Sequence, residues 1–108
     1  MYTLAAAPKI SVLSTQYIRV SVSATDQGLS VDPTSSSVSF AFLASGEIPE
    51  DDDWKSGDWE TANNEYLARC LVGPDGSATL VAGTYKVWLK IVLAPETIIE
   101  SVGDLYIY

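Results

Sequence analysis

Apolar residues fall at every second position through most of this chain. Between Gln16 and Ala24, Ile18, Val20 and Val22 alternate with Arg19, Ser21 and Ser23. Ser37 to Leu43 sets Val38, Phe40 and Phe42 against Ser39 and Ala41. From Thr84 onward, Tyr85, Val87, Leu89 and Ile91 share one side, and Lys86, Trp88 and Lys90 share the other. A period of two with one apolar face is the pattern of a half-buried β-strand. The pattern also predicts strands over Lys9–Leu13, Tyr66–Val72 and Ser77–Val81, a short edge strand near Asp58–Thr61, and a closing strand at Leu105–Tyr108. Turn residues separate these runs. Asp26-Gln27-Gly28, Asp32-Pro33-Thr34, Ser45-Gly46 and Gly73-Pro74-Asp75-Gly76 each combine a preset φ, a permissive glycine or a turn-entry side chain. Ala94-Pro95-Glu96 opens a connection toward the last strand. No window of helical period extends beyond a few residues.

Short strands joined by frequent turns predict an all-β chain, an antiparallel β-sandwich of about seven strands, with a small barrel as the alternative. The entry Gly83-Thr84-Tyr85 looks like the tyrosine-bearing corner that begins a late strand of immunoglobulin-like sandwiches. With 108 residues there is room for one core. Residues 1–8 are expected to form a loose Ala-rich arm, and residues 9–108 a single immunoglobulin-like domain. The stretch from Glu47 to Glu65 breaks the pattern and is expected to be a long loop.

Charge narrows the partners. Fourteen acidic against six basic side chains give a formal net charge of −8. Affinity for nucleic acid comes from Lys and Arg replacing counterions on phosphates, so a nucleic-acid surface is not expected. An anionic membrane repels the chain for the same reason. Cys70 is the one cysteine, so no intramolecular disulfide forms, and its place in an apolar run predicts a buried thiol. Residues 1–8 carry no basic residue before their short apolar run, so no secretory signal is expected. No apolar run reaches the length of a membrane-spanning helix.

Candidate chemistry is sparse. The chain has no histidine, which removes imidazole bases, the commonest nucleophile–base pairings and the commonest metal ligand. Seven carboxylates lie between Glu47 and Glu60, opposed by Lys55 alone. Counted from Asp51 as a helix–loop–helix calcium loop, the third ligand position falls on Lys55, the glycine position on Ser56 and the closing position on Ala62, so that pattern fails. No enzyme activity, metal or cofactor is expected. The aromatic residues offer more. Trp54 and Trp59 sit among charges, and Trp88 lies between Lys86 and Lys90 on the polar side of its strand. Rigid rings in such places are typical anchors of protein interfaces. The plain alternative is that lysine stems or the acidic loop cover the Trp88 ring within the same molecule. A basic Lys-Trp-Lys face and an acidic Trp-bearing loop are also complementary between copies, which favours self-association. Tyr106 and Tyr108 end a sheet edge that would be a hazard if left bare.

The strings DDDWKSGDWET, YLARCLVGPDG and LVAGTYKVWLKIVLAPETIIESVGDLYIY resemble small virion proteins of tailed phages that infect actinobacteria, over about Pro33 to Tyr108. The resemblance implies a structural place in the particle and carries no catalytic residues with it. It implies a decoration or minor capsid protein bound to the outer head surface and assembled in the host cytoplasm, with the major capsid protein or other virion proteins as partners. A neck or tail component is the alternative within that class. A carbohydrate- or host-surface-binding module, with indole rings stacked on sugars, is the alternative outside it.

Overall fold

The computed structural model describes residues 2–4, 9–22, 24–26, 29–31, 34–62, 65–93 and 96–108. These residues form two stacked sheets and a small hairpin. The strands are β1 (Tyr2–Leu4), β2 (Lys9–Ile10), β3 (Gln16–Val22), β4 (Ala24–Asp26), β5 (Leu29–Val31), β6 (Ser37–Leu43), β7 (Lys55–Ser56), β8 (Asp58–Ala62), β9 (Glu65–Val72), β10 (Gly83–Leu93) and β11 (Glu96–Ile107). One sheet has the order β1-β3-β9-β8 and the other β2-β11-β10-β6-β7, while β4 and β5 pair with each other. All the pairs are antiparallel except β2 with β11.

The alternation read from the sequence builds the core. Ile18, Val20 and Val22 of β3 lie beside Ala68, Cys70 and Val72 of β9, and all six are buried. Facing them are Val38 and Phe40 of β6, Val87, Leu89 and Ile91 of β10, and Leu105 and Ile107 of β11. Each large side chain taken from water in this way contributes about 1.5–3 kcal/mol. The chain passes from the five-stranded to the four-stranded sheet at Gly57. A Cβ there would stand 2.8 Å from both the Phe40 ring and the Arg69 carbonyl oxygen, so glycine alone lets the crossing lie flat on the core. The Gly73–Gly76 turn closes with Gly76 N–H donating to the Gly73 carbonyl at 3.0 Å. Pro74 occupies its second position, and Asp75, at φ 63°, occupies its third, the arrangement of a type II turn.

Four sequence expectations change. Tyr2–Leu4 is a strand on β3 in place of a loose arm, and residues 5–8 of that arm lie outside the described residues. Lys9–Leu13 is a strand only as far as Ile10. Beyond it Ser11 starts a turn closed by Ser14 N–H, and Val12 N–H turns to the Tyr108 carbonyl. Ser77–Val81 makes a single bridge, Ala78 beside Val72, because the Tyr85 hydroxyl donates to the Val81 carbonyl at 2.7 Å and takes an acceptor that a ladder would need. The connection expected after Glu96 is instead the first half of β11, which pairs with β10 from Leu93↔Glu96 to Gly83↔Ile107. Its β-branched run Thr97-Ile98-Ile99 suits a pleated surface. A one-residue slip between Val87↔Gly103 and Trp88↔Ser101 makes Val102 a bulge residue. The turns expected at Asp26-Gln27-Gly28, Asp32-Pro33-Thr34 and Ala94-Pro95-Glu96 fall wholly or partly outside the described residues. The long loop expected from Glu47 holds a 3₁₀ turn at Asp51–Asp53 and the strands β7 and β8.

Candidate functional site

The outer face of the five-stranded sheet gathers most of the aromatic and basic candidates. Residues opposed in antiparallel register share a face, so the β10–β6 and β10–β11 registers define rows across it. One row is Leu43, Lys86 and Asp104; the next is Ala41, Trp88 and Ser101; the next is Ser39, Lys90 and Ile99; the last is Ser37, Val92 and Thr97. Lys86 is neutralised within its row by Asp104, Nζ to Oδ1 2.9 Å. Lys90 places its ammonium 5.0 Å from the centre of the Trp54 ring, a cation–π contact that draws the acidic loop onto the sheet. The 3₁₀ turn of that loop packs against β6 and is tied off by Glu50 N–H donating to Asp53 Oδ2 at 2.8 Å.

This cover explains a burial pattern that alternation alone misses. Ala41 is fully buried and Leu43 nearly so, although both point away from the core. Trp88, beside Ala41, is half-buried. Its indole Nε1 is shielded from solvent, and among the described residues no acceptor lies within hydrogen-bond reach. A shielded N–H without an acceptor costs about 1–3 kcal/mol. Val92 and Ile99 continue the face as exposed apolar groups, at 39% and 46%. Neither was a candidate from sequence. The signal for Ile99 was the doublet Ile98-Ile99, since adjacent strand residues face opposite ways and one of the two must turn outward.

The other candidates divide. Trp59 packs against the core, and its Nε1 donates to the Ser36 carbonyl at 2.9 Å, so it belongs to the fold of a single molecule. Tyr106 and Tyr108 stay exposed, at 46% and 57%, with ring centres 6.0 Å apart. Their strand end is not a bare edge. Lys9 and Ile10 pair in parallel with Tyr106 and Ile107, and Tyr108 N–H donates to the Ile10 carbonyl.

The four-stranded sheet presents a contrasting outer face. Arg19 and Arg69 lie directly opposite each other, yet Arg19 bonds Glu60 Oε1 at 3.1 Å and Arg69 bonds Asp58 Oδ1 at 2.8 Å and Glu60 Oε1 at 3.0 Å. The Tyr17 ring receives the Arg69 guanidinium at 4.2 Å. The Arg19 hydrogen bond, with the charges of both arginines, holds the Glu60 carboxyl below the usual carboxylate range. The Asp58 hydrogen bond holds Arg69 more firmly protonated. Sequence reading missed this cluster, whose signal was one arginine at the middle of each of two polar strand faces. Beside it lies a groove of about 220 Å³ lined by Tyr17, Asp58, Arg69 and Ser77 among others. That is below the size of most small-molecule sites.

Cys70 is buried, and desolvation, aided by the Asp58 charge, pushes its thiol up to about 12. Among the described residues, no group of three or more carboxylates and thiols stands close enough to hold a metal ion. Comparison with known proteins leaves the site to speak for itself: the chain matches no protein-family model and no curated protein sequence.

Proposed function

We propose that this chain is a non-enzymatic structural protein of a tailed-phage virion, an immunoglobulin-like domain that binds the outer surface of the capsid. The observation that carries the binding role is Trp88. A half-buried indole, its N–H shielded and without an acceptor among the described residues, stands in the middle of a face edged by Lys90, Val92 and Ile99. A partner that displaces the groups covering that donor would supply its acceptor, and the ring would supply the apolar area of an anchor.

Strand order supports the immunoglobulin-like part of the reading. The sequence β1-β3-β9-β8 matches strands A-B-E-D of such domains, and β11-β10-β6 matches G-F-C, with β7 in the place of an added C′ strand. The Tyr85–Val81 hydrogen bond matches the tyrosine corner at the start of strand F. Placement in a virion rests on the sequence resemblance. Many copies on a lattice would turn a modest contact per copy into firm attachment through avidity. A neck or tail position would use the same face. Sugar stacking fits less well, because Trp54 is engaged by Lys90 and Trp59 by Ser36.

The test is binding of purified protein to phage heads that lack it. Saturable binding by the wild type, reduced at least tenfold by Trp88→Ala with the variant still folded, is the expected result. Binding to isolated tails or to glycan arrays in preference to heads would overturn the capsid assignment. Equal binding by the variant would overturn the role of Trp88.

A further inference from the structure

We infer that the partner seated on the outer face of the five-stranded sheet is a basic protein surface, selected by the acidic residues 47–53, given that Trp88 is the anchor proposed above. Five carboxylates stand among those seven residues; Glu47, Glu50, Asp51 and Asp52 are exposed and Asp53 is half-buried. The six basic residues of the chain do not answer them. Arg19 and Arg69 bond Asp58 and Glu60, Lys86 bonds Asp104, and Lys90 lies against the Trp54 ring. Lys9 belongs to β2, at the far edge of the sheet, and Lys55 lies opposite inward-facing Phe40, on the side away from Trp88. Among the described residues, no ion pair reaches the five carboxylates.

The fold brings this charge to the anchor. Trp54 follows Asp53 directly, and its ring centre lies 5.0 Å from the Lys90 ammonium. Lys90 is two residues from Trp88 on the same face of β10, about 7 Å along the strand. Lys55 pairs with Phe40, so Trp54, extended at φ −78° and ψ 129°, comes level with Ala41, whose other neighbour is Trp88. Two strand spacings, about 10 Å, separate Trp88 from the end of the acidic segment. That is close to the Debye length of about 8 Å at physiological salt, so the carboxylates act on a partner arriving at Trp88. Within the segment lies an open hollow of about 560 Å³ lined by Gly46, Glu47, Ile48, Glu50 and Asp53. It accommodates an arginine or lysine side chain, the stem on Ile48, which is 78% exposed, and the charged head among the carboxylates.

Charge decides among occupants. A second copy carries the same net charge of −8 and has engaged Lys86 and Lys90 internally, so it meets the segment with repulsion. Nucleic acid and anionic lipid are repelled likewise. A basic surface with an apolar part fits the whole face. Its cations meet residues 47–53 on the β7 side, its apolar part meets Val92 and Ile99 on the β10–β11 side, and Trp88 stands between them. That polarity fixes the orientation of docking. Long-range attraction of this kind speeds association by about 10- to 1,000-fold. Lys90 is then a positioning residue, which holds Trp54 and the acidic segment beside Trp88.

NMR titration of the isotope-labelled chain with a hexa-arginine peptide tests the charge, and attachment to phage heads tests the placement. The peptide is expected to give saturable shifts centred on residues 46–54. Glu47→Gln with Glu50→Gln is expected to weaken that binding at least about fivefold. Glu65→Gln with Asp75→Asn makes the same change in net charge on β9 and the turn after it, and is expected to weaken it less than about twofold. Equal weakening by the two double variants, or shifts centred on another face, would overturn the inference. On heads, attachment of the wild type is expected to fall about tenfold as salt rises from about 0.05 to about 0.5 M. Attachment that depends on Trp88 but is unmoved by salt and by Glu47→Gln with Glu50→Gln would overturn the basic partner and leave the anchor standing. Attachment lost in that double variant but kept in Trp88→Ala would support the basic partner and overturn Trp88 as its anchor.

Discussion

Trp88→Phe separates the role of the indole in the fold from its role in binding. In the single chain the substitution removes a shielded donor that has no acceptor among the described residues. Relief of that donor returns about 1–3 kcal/mol. Against it stands the smaller ring, which gives up about 1 kcal/mol of burial on a scale of about 0.8 kcal/mol per CH₂-sized group. The balance is about 0–2 kcal/mol in favour of the variant, so the unfolding free energy is expected to hold or to rise. At about 4–8 °C per kcal/mol for a domain of this size, a mid-range gain of about 1 kcal/mol raises the melting temperature by about 4–8 °C. Trp88→Ala is different. It uncovers Ala41, which lies opposite and is fully buried. Truncating a fully buried Trp costs about 3–5 kcal/mol, and a half-buried one is expected to cost about 2 kcal/mol. Urea titrations followed by the fluorescence of the remaining Trp54 and Trp59 measure both. If Trp88→Phe loses more than about 3 kcal/mol, the N–H is bonded within the folded chain and its use for a partner is refuted. If it keeps its stability but binds phage heads like wild type, the donor serves neither purpose.

Three further outcomes follow from other sites. Gly73→Ala is expected to destabilise by more than about 2 kcal/mol in the same titration, because φ is 130° there and a Cβ would run into the Ser14–Thr15 backbone. Stability is expected to fall on acidification as Glu60 is protonated. Its carboxyl is held below its unfolded value, so the contribution is full above about pH 5 and is lost as pH drops through the lower folded value; Glu60→Gln should flatten that limb of the pH–stability curve. The Cys70 thiol, pushed up to about 12 by burial, is expected to resist thiol reagents at pH 8 until the domain opens, so its labelling rate should follow global unfolding. Fast labelling of the native protein would refute the burial.

Alternation was enough to read β3, β6 and β10 and their inward residues, because one-sided burial leaves a two-residue period in the sequence itself. The start of β10 at Gly83 was legible from its glycine and the alternation after it, whereas the Tyr85 hydroxyl's bond to the Val81 carbonyl leaves no pattern in the sequence. Edges were not legible. Whether β11 began at Glu96 or at Leu105 depended on a turn and a bulge, and Glu100 on its inward face broke the pattern expected of a strand. The outer face was half legible. Trp88 between two lysines pointed to it, but Ala41 and Leu43 carry no sign of their burial. Non-local cover leaves no period. The engagement of Trp54 by Lys90 and of Trp59 by Ser36 likewise depends on chain crossings at Gly57 that spacing does not reveal.

The two outer faces point to where a partner belongs. On the four-stranded sheet, two opposed arginines would repel, but Asp58 and Glu60 accept four charge-assisted bonds and the Tyr17 ring meets both guanidiniums, so each charge is answered within the molecule. Such exposed ion pairs add little to stability, about 0–1 kcal/mol each, yet they leave no group wanting a ligand. Docking there would mean desolvating a satisfied network, which is costly unless the partner replaces every bond. The five-stranded sheet is the reverse. Among the described residues it keeps Val92 and Ile99 in water and an indole N–H without an acceptor. A partner gains there by supplying what the single chain lacks, and loses nothing already made. Charge reversal distinguishes the faces: Arg69→Glu should lower monomer stability while leaving attachment to heads intact, whereas Lys90→Glu should release Trp54 and weaken attachment. Loss of attachment from Arg69→Glu in a folded variant would move the binding surface to the opposite sheet.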